Sequence, residues 1–200
     1  MDLQYKTLKP FFLMAAIAIG FCVQANNAKA ADRQTITFAG GCFWCGEADF
    51  EDVEGVLKAV SGFSGGTVEN PSYKQVVRGG TGHLEVVQIT YDADVVSTRT
   101  LLDLFFRSID PTDAGGQFCD RGETYTTAVF VDDIAQRSDA EAAKAAAQAE
   151  LGRQIVTPIR EFDEFYRAEN YHQDYYKSTK LIPTRFGLKS KKEAYKRYRK

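Results

Sequence analysis

The chain has 200 residues, 44% of them hydrophobic and 26% charged, with a formal charge of −2. These values point to one globular domain and exclude disordered, collagen-like and repeat architectures. The charge gives no reason to expect a nucleic-acid partner. Four cysteines are too few for a disulfide scaffold, so cysteine chemistry here rests on position.

Lys6 and Lys9 precede an apolar run, Pro10 to Val23, and Ala28-Lys29-Ala30 stands before Ala31. A basic head, an apolar middle and an A-x-A site describe a secretory signal peptide over residues 1–30. The run is shorter than the roughly 18 residues of a membrane span, so no stable membrane insertion is expected. Cys22 follows bulky Phe21 and is expected to leave with the leader. The leader carries Lys6, Lys9 and Lys29 against Asp2, so residues 31–200 hold −4. They are expected to form a single domain in a periplasmic or otherwise extracytoplasmic compartment, where disulfides persist. Cys42, Cys45 and Cys119 remain. Their odd number leaves at least one unpaired or exchanging.

Gln34 to Ala39 is β-branched and aromatic and predicts a strand that Gly40-Gly41 ends. From Cys42 a short helix is expected, stopping at Gly55, then a strand over Val56 to Phe63. Asn70-Pro71-Ser72 leads into a short helix to Val77, and 78–82 is a glycine loop. In the strand His83 to Tyr91, Leu84 and Val86 point one way while Glu85, Val87 and Ile89 point the other. Ser97 or Thr98 caps a helix reaching about Ile109, with a stripe of Leu101, Leu102, Leu104 and Phe105. Residues 110–123 read as a polar loop and Tyr125 to Val131 as a strand. Asp139 to Leu151, rich in alanine, is a helix. Ile155 to Ile159 suggests a strand interrupted by Pro158, and Glu169 to Lys177 a last helix. Helices alternate with strands, yet no phosphate-binding glycine loop appears, so a two-layer α/β sandwich is expected. The tail from Lys189 to Lys200 carries seven basic residues and one acid and reads as a solvated end.

Gly40-Gly41-Cys42-Phe43-Trp44-Cys45-Gly46-Glu47 concentrates the chemistry. Cys42 follows a strand and a Gly-Gly turn and stands at a helix N-terminus. Unpaired amides there favour an anion, which would lower the thiol pKa and make Cys42 a nucleophile. The glycine before it would let a substrate approach the backbone closely. A buried structural cysteine, a zinc site and a thioredoxin-like dithiol compete with this reading. Zinc lacks a second close ligand pair. Taken alone, CxxC before a helix favours the dithiol.

The wider pattern resembles the peptide methionine sulfoxide reductase A family. GCFW, Glu47 and Phe50 match it, as do Gly62-Phe63-Ser64-Gly65-Gly66, Asn70-Pro71-Ser72-Tyr73 and Thr81-Gly82-His83-Leu84-Glu85-Val86. So do Asp110-Pro111-Thr112, Asp120-Arg121-Gly122-Glu123-Thr124-Tyr125 and Tyr171-His172-Gln173-Asp174-Tyr175. The resemblance runs in chain order over residues 34–177. It implies an α/β (α+β) fold, a two-layer sandwich with a ferredoxin-like core and long loops. It implies reduction of the S epimer of methionine sulfoxide, free or in proteins, as oxidative-damage repair.

In that reading Cys42 attacks the sulfoxide sulfur and becomes a sulfenic acid. Glu85 donates the proton. Tyr73 and Tyr125 hydrogen-bond the sulfoxide oxygen, and Asp120 holds the polar side of the site. Phe43 and Trp44 form the pocket for the S-methyl group. Glu47 supports the helix start electrostatically, and His83 is structural. No metal or bound cofactor is implied; a thioredoxin-like dithiol protein supplies electrons to a monomer. Position 45, often glycine in relatives, is cysteine, and the chain after Tyr175 holds no cysteine. Cys45 and Cys119 are therefore the two candidates for the resolving thiol. Two rival functions stay open: a general thiol–disulfide oxidoreductase and a non-catalytic module that binds oxidised methionine.

Overall fold

Four antiparallel strands form the frame of the computed structural model, which describes residues 32–178. They are β1 (Arg33–Gly40), β2 (Val56–Ser64), β3 (Leu84–Asp92) and β6 (Thr127–Val131), side by side in the order β6-β1-β3-β2. Helix α1 (Phe43–Glu51) connects β1 to β2, and α3 (Thr98–Ser108) connects β3 to β6. Each connection skips one strand, the interleaved split βαβ arrangement of a ferredoxin-like core. The mixed α/β class expected from the chain is thus the one observed. The described residues fall in the unit Ala31–Lys200; the expected leader and the basic tail lie outside the described residues.

The alternation read in β3 sorts its side chains onto two cores. Val87 and Ile89 join Phe38, Phe50, Leu101 and Phe105 under the helices. Leu84 and Val86 join Ala39, Ala128 and Phe130 on the opposite face. Phe38 stacks on Phe105 with ring centroids 4.6 Å apart, which seats α3 on β1. Ser97, not Thr98, caps α3 by accepting the amide of Thr100. Glu85 shares the helix-side face with Val87, so the pleat alone aims it beneath the start of α1.

Several elements differ from the expectation. Helix α4 (Ile134–Leu151) begins five residues earlier than Asp139, because the Asp133 carboxylate accepts the Gln136 amide at 2.8 Å and caps it there. The strand expected from Tyr125 starts at Thr127, since Glu123–Tyr125 closes as a 3-10 turn. The polar loop 110–123 contains a hairpin, β4 (Gly116–Gln117) with β5 (Asp120–Arg121). Ile155 to Pro158 is not a strand. Proline has no amide to give, and β7 (Ile159–Glu161) begins just beyond it, parallel to β6. β8 (Phe165–Arg167) pairs with β2 at the far edge. The last helix breaks in two: a 3-10 turn at Asn170–His172, then α5 (Tyr175–Ser178). Between them Asp174 has φ +52°, and the Gln173 side chain bonds both backbone groups of Ser61 on β2.

Candidate active site

Cys42 occupies the N-cap of α1. Gly41 before it has φ +81°, and a Cβ there would meet Gln117 Cβ at 2.6 Å. The close approach that requires this glycine in the structure is that of the β4–β5 hairpin. It also lays the hairpin, with Cys119 in its turn and Asp120 opening β5, beside the nucleophile. Cys42 is partly exposed and Cys119 exposed.

Glu85 is 1% exposed and accepts the Phe43 amide at 2.9 Å. Burial raises its pKa to about 8, and the nearby Asp120 charge adds to the rise against that single amide bond. A protonated carboxyl thus sits next to the nucleophile at neutral pH. The Cys42 thiol requires a correction. The Phe43 amide at the helix start is spent on Glu85, and the Cys45 amide, which bonds Cys42 O at 3.0 Å, lowers the thiol pKa less than the other surroundings raise it. A hydrogen bond with Cys45, then burial, then the neighbouring Cys45 and Glu85 hold the Cys42 thiol well above its ordinary pKa. The helix N-terminus does not make a resting thiolate here.

Tyr73 opens α2 (Tyr73–Arg78), whose start is closed by a capping box of Ser72 and Gln75. Its amide donates to Glu169 Oε1 at 3.1 Å. Thr124 Oγ1 donates to Val76 O at 3.0 Å, which ties the 3-10 turn to α2 and brings Tyr125 to Tyr73. Each phenol shifts the pKa of the other, so the two are close neighbours. Burial and the Glu85 charge push both pKa values up, so both hydroxyls remain donors.

Trp44 is half-buried, stacked on Tyr175 at 3.7 Å and 11°, and donates its indole N–H to His172 Nδ1 at 3.1 Å. Burial pushes the His172 pKa down, so the imidazole stays neutral and its Nδ1 stays an acceptor. Phe43 is 2% exposed and packs against Trp44, Phe63, Tyr73 and His172. It backs the aromatic wall that Trp44 presents. His83 accepts the Gly66 amide at Nδ1 and bonds Val68 O through Nε2, a structural arrangement. Glu47 does not serve the helix start. It is buried, accepts from Ser61 Oγ and from the Asp174 amide, and ties α1 to β2 and to the C-terminal segment.

The site therefore gathers Cys42, Cys45, Glu85, Tyr73, Tyr125, Asp120 and Trp44 around one end of α1. A nucleophilic sulfur, a neutral carboxyl and two phenol donors can activate an oxygen-bearing centre and receive its oxygen. A family profile described as Peptide methionine sulfoxide reductase matches residues 34–200. The chain belongs to the peptide methionine sulfoxide reductase A family. It is 48% identical over 165 residues to "Peptide methionine sulfoxide reductase MsrA 2" of Rhizobium meliloti, covering 81% of this chain and 82% of that one. It is 46% identical over 172 residues to "Peptide methionine sulfoxide reductase MsrA" of Bacillus licheniformis, covering 83% and 93%. Among solved structures, Mxr1 of Saccharomyces cerevisiae in reduced form is similar, with TM-score 0.71 and 32% identity over 74% of this chain and 87% of that one. Mxr1 has also been solved in complex with Trx2, with TM-score 0.51 and 24% identity over 74% and 91%. The protein is a peptide-methionine sulfoxide reductase, and its work is the repair of oxidised methionine.

Sequence reading missed some of the residues that shape this reductase site. Glu169 holds the Tyr73 amide, Tyr175 stacks on Trp44, and Tyr176 contacts Cys45. All three come from the C-terminal segment, far from α1 in sequence, where no helical or strand spacing signals a contact. The motif Tyr171–Tyr175, which contains Tyr175 and lies between the other two, is the one local hint.

Proposed function

We propose that the reductase acts on the S epimer through two cysteines in turn. The thioether of the oxidised methionine lies against Trp44, with Phe43 behind it, and the sulfoxide oxygen points to Tyr73, Tyr125 and Glu85. Glu85, protonated through Oε1 while Oε2 keeps the Phe43 amide, shares its proton with that oxygen and makes the sulfur electrophilic. As the Cys42 sulfur attacks, its thiol proton replaces the one that Glu85 gives to the oxygen, so Glu85 ends the step protonated. The oxygen passes to Cys42, giving methionine and a sulfenic acid. Asp120 supports the step by keeping Glu85 protonated.

Cys45 then attacks the sulfenic sulfur. The Cys42–Cys45 bond forms, the S–O bond breaks, and the departing hydroxide takes the thiol proton and leaves as water. The observation that carries this reading is the neutral Glu85 carboxyl beside Cys42, with Cys45 hydrogen-bonded to the same sulfur. Cys42 at the N-cap and Cys45 in the first turn lie on one turn of backbone, joined by the Cys45 amide to Cys42 O bond of 3.0 Å. Cys119, exposed in the hairpin turn, is the alternative resolver. The Mxr1–Trx2 complex supports a thioredoxin-like protein as the reductant of the disulfide. Export by the leader to an extracytoplasmic compartment is part of the proposal; such a place is oxidising, so a dedicated donor must be kept reduced there.

Disulfide mapping after one turnover without reductant tests the route. The expected product joins Cys42 to Cys45 and leaves Cys119 free to alkylate. A Cys42–Cys119 bond as the first product would move the resolving role to the hairpin.

A further inference from the structure

Helix α5 and Asp174 just before it touch α1 at four successive residues. The Asp174 amide bonds Glu47, Tyr175 stacks on Trp44, Tyr176 Oη lies 3.0 Å from Cys45 Sγ, and Lys177 pairs with Glu51 at 3.0 Å. Three of these contacts fix the strap without the fourth, so the Tyr176 hydroxyl is held against the sulfur by packing on either side. We propose that Tyr176 is a catalytic residue of the resolving step, donating its hydroxyl hydrogen to Cys45 Sγ and stabilising the thiolate that attacks the Cys42 sulfenic acid. This rests on the reading that Cys45 is the resolving thiol.

The chemistry allows only one direction of donation once Cys45 ionises. A thiolate accepts, and the phenol stays protonated because burial and the adjacent Cys45 push its pKa up. In the resting enzyme Cys45 is also hydrogen-bonded to Cys42. When Cys42 becomes a sulfenic acid its thiol hydrogen is gone, and the Tyr176 contact from the other side persists. The step balances as a condensation: a thiol and a sulfenic acid give a disulfide and water. Cys45 sulfur is oxidised, Cys42 sulfur is reduced, and the thiol proton leaves with the departing oxygen.

A thiol whose pKa is lowered by about one unit gains roughly tenfold in thiolate at neutral pH but loses roughly threefold in intrinsic nucleophilicity. Removing the donor therefore has a signature that depends on pH. The reduced full chain and its Tyr176→Phe variant are mixed with methionine S-sulfoxide without added reductant. Samples are quenched over time for sulfoxide, trapped sulfenic acid and mapped disulfide.

In the variant, sulfenic acid accumulates after the sulfoxide is consumed. Disulfide formation is about threefold slower than native at pH 7, and native and variant curves cross at alkaline pH, where the variant becomes the faster. Tyr176→Met removes the same hydroxyl with a different side chain and serves if the Phe variant fails to fold by circular dichroism. A native pH profile in the folded variant overturns the proposal. So does a uniform slowing at every pH, which would mark packing alone. A native first disulfide between Cys42 and Cys119 overturns the resolver reading, and with it this one. A native Cys42–Cys45 product with an indifferent Tyr176→Phe variant removes only the Tyr176 role.

Discussion

Glu85 and Cys42 share one environment, and it raises both pKa values. Burial holds the Glu85 carboxyl near 8, so the acid form predominates below that pH and is lost above it. The single-turnover rate of sulfoxide reduction is accordingly predicted to fall as pH rises through about 8. Glu85→Gln should lower that rate by roughly 10²–10⁴-fold, the usual worth of a placed proton donor. Stability follows the same group with a definite sign. The folded pKa lies above the unfolded value of about 4.5, so the Glu85 contribution is intact below 4.5 and declines up to about 8. Compared with Glu85→Gln, the native protein should therefore lose stability on the order of a few kcal/mol between pH 4.5 and pH 8, read by urea unfolding. Cys42 was legible because a glycine turn and a helix start are local features, whereas for Glu85 the strand pleat showed only which face it shares and the family resemblance supplied its role. The direction of the Cys42 shift was not legible. It depends on how the Cys45 side chain meets the Cys42 sulfur and on how deeply that sulfur is buried, neither of which the spacing of the motif reveals.

Helix α1 is the element on which the site turns, and Glu47 is its anchor. Its carboxylate is 3% exposed and holds Ser61 of β2 and the Asp174 amide. Glu47→Ala removes both bonds, leaving Ser61 Oγ with only its long 3.5 Å contact to Phe43 O, and the loss at this buried donor costs about 1–3 kcal/mol. The urea midpoint should drop accordingly, and sole-tryptophan emission should change in the native state, since Trp44 loses the register of the strap that carries Tyr175. A variant with native stability and emission would show that α5 is held by its other contacts. The frame strands, α1 and α3 were legible because their periodicity and caps lie within single windows of sequence. The β4–β5 hairpin, β8 and the split of the last helix were not. Short strands pair only where a distant partner offers an edge, and Gln173 takes its extended course from β2 rather than from its neighbours.

At the scale of the whole molecule, a ferredoxin-like frame exposes one end of α1 to solvent while two cores and a C-terminal segment hold it in place. No helix among the described residues is long and apolar enough to cross a membrane. The proposed export predicts that protein recovered from an extracytoplasmic fraction begins at Ala31; an intact Met1 terminus there would contradict cleavage of the leader. The central claim is that the Cys42–Glu85 pair removes oxygen from one sulfoxide epimer without help from a bound group. The most direct test incubates the reduced protein with racemic methionine sulfoxide and no reductant, and follows both epimers by chiral chromatography. The account predicts that about one equivalent of the S epimer disappears per protein, as one catalytic cysteine allows, while the R epimer persists and a disulfide forms from Cys42. Persistence of both epimers in a folded protein with its thiols reduced would contradict it.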